Sequence, residues 1–62
     1  MSNQTAKIYE LLSELYKPHQ AAQFMGSKQS LLNDEVPTDL VASGRGGEVI
    51  KALRVFLGRE QP

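Results

Sequence analysis

The sequence runs to 62 residues, with seven Lys and Arg against seven Asp and Glu and a formal net charge of zero. That length holds one domain, residues 1–62, and the balance excludes a global positive field able to hold a nucleic-acid backbone. No cysteine is present, which excludes disulfides, thiolate zinc sites and cysteine nucleophiles together and makes an intracellular home the simpler expectation.

The opening, Met1-Ser2-Asn3-Gln4-Thr5, has neither the basic start nor the apolar run of a signal peptide. No apolar stretch approaches the roughly 20 residues that a membrane span requires, so a cytoplasmic protein is expected. From residue 4 to 16 the apolar positions Ala6, Ile8, Tyr9, Leu11, Leu12, Leu15 and Tyr16 recur at three- and four-residue spacing, the pattern of an amphipathic helix. Its stripe is wider than one thin partner helix would cover. Ile8, Leu11, Leu12 and Leu15 therefore fit either a broad core face or a dimer seam, and a chain too short to bury much surface is expected to gain from pairing as a homodimer.

Lys17-Pro18 stops the first helix and opens a second, 18–25, because proline disfavours helical geometry in the residue before it yet suits a first helical turn. Its apolar face is Ala21, Ala22, Phe24 and Met25. From 26 to 36 the text is polar except for Leu31-Leu32, and Asn33-Asp34 is a turn-prone pair, so an ordered loop pinned by two leucines is expected. Pro37 opens a third helix, 37–43, with Leu40 and Val41 inward and Asp39 in the first turn, where its charge suits the helix dipole. A last helix, 47–57, carries Val49, Ile50, Leu53, Phe56 and Leu57 at helical spacing, and Gly58 ends it, leaving 58–62 as a polar tail. The fold class is all-α, a small bundle of about four short helices. Rings are few, and Phe24 and Phe56 are expected to anchor a mainly aliphatic core.

Chemistry finds little footing. His19 is the single histidine and lacks further ligands for a metal shell. Glu10 and Glu14, at i, i+4, read as a solvated face. Gly44-Arg45-Gly46-Gly47 ahead of a helix resembles a phosphate loop, but a helix precedes it and Glu48-Val49 follows where Lys-Ser or Lys-Thr would be needed. It reads better as an interhelical turn on which Arg45, with Arg54 along the last helix, can dock a carboxylate or phosphate of a partner. No catalytic residue, metal or cofactor is expected, and an enzyme is the least favoured class.

The run from Ala21-Ala22-Gln23-Phe24-Met25 through Leu31-Leu32-Asn33-Asp34-Glu35-Val36-Pro37-Thr38-Asp39-Leu40-Val41-Ala42-Ser43-Gly44-Arg45-Gly46-Gly47-Glu48-Val49 resembles the toxin-binding domain of the Xre/MbcA/ParS antitoxin family. That family's pattern is an aromatic-Leu helix end, an exposed loop, a Leu followed by glycine-like residues, a Pro-x-x-Leu-Leu helix, a small-Gly turn and a Val-rich last helix, and with Ile8 to Tyr16 the likeness covers most of the chain. Two features depart from it: Asn33-Asp34 stands where the family usually has glycines, and the N-terminal helix-turn-helix domain of many members has no counterpart here. The resemblance implies a protein partner, a RES-domain toxin that consumes NAD, whose active-site entrance the C-terminal part of the antitoxin obstructs. Carried over by position, the partner contacts are Arg45, Gly46, Gly47, Arg54, Arg59, Glu60, Gln61 and Pro62. The rival expectation is a phage or plasmid adaptor, a helical dimer that binds a protein or, less favoured, DNA through Lys7, Lys17, Lys28, Arg45, Arg54 and Arg59.

Overall fold

The computed structural model describes residues 3–59. Four helices, α1 (Asn3–Leu12), α2 (Pro18–Met25), α3 (Pro37–Ala42) and α4 (Gly46–Phe56), form an all-α bundle, with a 3-10 turn at Ser30–Leu32. None of the helices among the described residues is long and apolar enough to cross a membrane.

Helix α1 stops four residues before the expected end. Beyond Leu12 the backbone tightens into three-residue bonds, Glu14 N–H to Leu11 C=O at 3.2 Å and Leu15 N–H to Leu12 C=O at 2.9 Å, while the Ser13 hydroxyl donates to Glu10 C=O at 2.6 Å. Two four-residue bonds persist beside them, Ser13 N–H to Tyr9 C=O and Tyr16 N–H to Leu12 C=O, and Pro18 then holds Lys17 extended at φ −74° and ψ 162°, so no helical turn continues past Tyr16. Lys17 N–H donates to the Gln20 side chain at 2.9 Å, so α2 begins with its first free donor satisfied.

The segment between α2 and α3 is ordered by the chain itself. Gln29 N–H donates to Glu35 C=O at 3.1 Å, Asp34 N–H to Gln29 C=O at 2.9 Å, and the Gln29 amide to Phe24 C=O at 3.0 Å. Closing so tight a loop takes two left-handed residues in a row, Asn33 at φ 57° and Asp34 at φ 62°, the residue types that accept this conformation most readily after glycine. Of the two leucines, Leu32 is buried and Leu31 is exposed, so one of the expected pair pins the loop.

Helices α3 and α4 end alike. Gly44, at φ 81°, donates to Val41 C=O while Arg45 N–H reaches back to Leu40 C=O at 2.7 Å. Gly58, at φ 76°, and Arg59 repeat the pattern on Val55 and Arg54. Both are paired backbone closures around a left-handed glycine, which satisfy carbonyls the helix end leaves free.

The core is Ile8, Leu11 and Leu12 from α1, Ala21, Phe24 and Met25 from α2, Leu32, Leu40, and Val49 and Leu53 from α4. Helix α1 packs chiefly on α4, which also meets α3 and the 3-10 turn. Ile8 and Leu12 are 0% exposed, Leu11 is buried and Leu15 packs against the same cluster, so of the two readings of this stripe the single chain realises the core face. One expectation is corrected here. Phe56, expected in the core, is 62% exposed.

Candidate functional site

The Gly44 turn brings Arg45 to the start of α4, one turn from Glu48 and across from Glu35 at the end of the preceding loop. Its guanidinium donates to both Glu48 oxygens at 2.7 and 2.9 Å and to both Glu35 oxygens at 3.1 and 3.3 Å. The hydrogen bonds from Arg45 hold the Glu48 carboxyl below its ordinary pKa, and Glu48 first and Glu35 second hold the Arg45 guanidinium well above its own. Four of its five N–H groups are thereby engaged within the chain, so an outside anion would have to compete with Glu35 and Glu48 for Arg45. The carboxylate that spoils the phosphate-loop pattern is the one that captures the arginine.

Gly46 is not a surface contact. It is buried, and the Gln4 side chain lies against its Cα, whereas Gly47, one residue on, is exposed. Arg59 donates through both terminal nitrogens to Glu14, whose carboxyl is lowered chiefly by that bond, so the start of the tail is tied to the turn after α1. Glu60, Gln61 and Pro62 lie outside the described residues. Arg54 is exposed on α4 and, like Lys51, makes no hydrogen bond or ion pair with the described residues. Of the described partner contacts expected from position, Arg45, Gly47, Arg54 and Arg59 are exposed and Gly46 is not, with Arg54 the arginine that has no ion-pair partner among the described residues.

A feature that sequence reasoning missed lies beside them. Between the 3-10 turn and α4 runs an open groove of about 380 Å³, with Leu31 and Leu32 on one wall and Ala52, Val55 and Phe56 on the other, and with Glu48 and Lys51 at the rim. Ala52 and Phe56, one turn apart on α4, both line it. Leu31, at 40%, and Phe56, at 62%, are exposed across it. Solvent-facing apolar side chains clustered in a concave surface mark interaction sites more often than scattered ones do. The signal available in the sequence was the adjacency of Leu31 and Leu32: side chains of neighbouring residues in a 3-10 turn point about 120° apart, so only one of two can enter a core.

A second hollow, about 310 Å³, is lined by Tyr16, Phe24 and polar residues including Gln20 and Gln23, and the Tyr16 and Phe24 rings lie 5.9 Å apart. Among the described residues no group of three or more His, Asp or Glu side chains is placed to hold a metal ion. The cations that DNA binding would need are partly committed, Lys7 to Glu10, Arg45 to Glu35 and Glu48, and Arg59 to Glu14. The chain matches no protein-family model, no curated protein and no solved structure.

Proposed function

We propose that this chain is a protein-binding module of antitoxin type, which acts in the cytoplasm by covering the active-site entrance of an enzyme, with the groove between the 3-10 turn and α4 as its contact face. The observation that carries this reading is the exposed Phe56 facing Leu31 across an apolar groove, on the same helix as the unpaired Arg54. Burying one such ring against a partner contributes about 1.5–3 kcal/mol, and aromatic and arginine side chains are the usual anchors of protein interfaces. The resemblance to the Xre/MbcA/ParS family supplies the kind of enzyme, a RES-type toxin that consumes NAD. Inhibition by occlusion asks no chemistry of the inhibitor, in keeping with a site built from apolar walls and two free cations.

Co-expression with a RES-type toxin tests the reading. The wild-type chain is expected to restore growth, and Phe56→Ser to lose most of that rescue while keeping a wild-type helical circular dichroism spectrum. No rescue by the wild-type chain, or equal rescue by both, would overturn it. Sedimentation of the free chain reads its oligomeric state separately: with the α1 stripe already buried, any dimer must use another face.

A further inference from the structure

Resting on that protein-binding reading, we infer that the groove takes an amphipathic helix of the partner whose apolar face is edged with carboxylates. The groove's lining follows α4 from Glu48 to Phe56, about 12 Å at helical rise, of which Ala52 to Phe56, about 6 Å, is apolar and takes two anchors three or four residues apart on a docked helix. The other common modes of peptide capture have no purchase here. Adding a strand needs an open sheet edge, and the described residues offer a single bridge between Gln29 and Glu35; polyproline segments need a row of aromatic rings, and this groove has one.

Charge sets the sign of the partner. The negative residue at the rim, Glu48, accepts two hydrogen bonds from Arg45, which also serves Glu35, so these three groups together keep one negative charge. Lys51 at the rim, and Arg54 three residues further along α4, have no counterion among the described residues. Set against the one excess negative charge of that cluster, Lys51 and Arg54 leave this flank of the groove positive by one although the chain carries no net charge, and a helix bearing Asp or Glu beside its leucines gains where one bearing Lys or Arg is repelled. A second copy of this chain fits less well: an antiparallel two-fold pairing centred on Ala52 would set each Lys51 near its equivalent.

The test uses the full chain, labelled with nitrogen-15, and two synthetic helical peptides that share leucines at i, i+3, i+4 and i+7. One carries glutamates and the other lysines beside the leucines. The glutamate peptide is expected to bind about tenfold more tightly than its twin at low salt, to shift the amides of Leu31, Ala52 and Phe56, and to lose its advantage as salt rises. Lys51→Glu with Arg54→Glu reverses the preference, the milder pair Lys51→Gln with Arg54→Gln abolishes it, and Phe56→Ser weakens both peptides. Equal binding of the two peptides, a preference unmoved by these substitutions, or a dimer that shields Phe56 in the free chain would overturn the inference. The two readings fail separately: toxin rescue that needs Phe56 but ignores the Lys51 and Arg54 substitutions removes the acidic helix alone, whereas peptide preference without rescue removes the toxin alone.

Discussion

The Gln4 side chain of α1 lies across Gly46 at the start of α4, so close that a Cβ on that glycine would stand 2.5 Å from the Gln4 Oε1 and 3.2 Å from its Cβ and Cδ. The space beside Gly46 is filled by the Gln4 side chain, which would have to shift to admit a methyl group. Gly46→Ala should destabilise the fold by about 1–3 kcal/mol through overpacking. Gly47, whose added Cβ would meet nothing nearer than the Gln4 Nε2 at 3.7 Å, should gain about 0.5–1 kcal/mol as alanine, because a helical glycine gives up more backbone entropy. Urea melts of both variants check the opposite signs, and Gln4→Ala combined with Gly46→Ala should recover part of the loss.

Phe56 and Leu53 sit one turn apart on α4 with opposite burdens, 62% exposed against 1%. Phe56→Ala should shift stability by no more than about 0.5 kcal/mol and act on partner binding instead. Leu53→Ala should cost about 2–5 kcal/mol by opening a cavity in the core, enough to unfold a domain this small. Thermal melts followed by circular dichroism distinguish them.

Gly44 and Asn33 share the left-handed region, at φ 81° and 57°, but their tolerance to change differs. Gly44→Ala should cost about 1–2 kcal/mol from Cβ strain, even though no atom lies within 4 Å of the space a Cβ would fill. Asn33→Gly should be close to neutral, because the backbone conformation is retained without strain. Chemical denaturation of the two variants beside wild type decides the point.

Acid should loosen the fold through Glu48 and Glu14, whose pKa values are lowered by hydrogen bonds from Arg45 and Arg59 respectively. Groups depressed in the folded state contribute stability that is present above the ordinary glutamate pKa of about 4.3 and is lost as pH falls through the lowered folded values. The melting temperature should therefore drop on acidification from about pH 5 to pH 3, and Arg45→Gln or Arg59→Gln should flatten that drop. A profile as steep in both variants as in wild type would assign the acid sensitivity to other carboxylates.

Much of the fold was legible because proline and glycine punctuate it. Pro18 and Pro37 stand at the first positions of α2 and α3, and Gly44 and Gly58 close α3 and α4. Apolar spacing placed Ile8, Leu12, Val49 and Leu53 on faces that do meet in the core. Periodicity ranks residues by face without saying where on that face the partner stops, and Phe56 lies just past the edge covered by α1. The candidate site was less legible, because the worth of an arginine depends on what the fold sets beside it. Arg45 has Glu48 three residues on, a pairing the sequence displays, whereas Arg54 has no acid at helical spacing; the approach of Glu35, ten residues away along the chain, is what the sequence does not display.

The pairing of α1 with α4 also sets an order of events. Gln4 meets Gly46 at one end and Glu14 meets Arg59 at the other, so the first and last helices run side by side in the same direction, joined by contacts more than forty residues apart in sequence. Contacts of such separation bear the full entropy of closing the intervening chain. Helix α1 therefore gains its main packing partner only when α4 has formed, so the burial of Ile8 and Leu12 is completed late in folding.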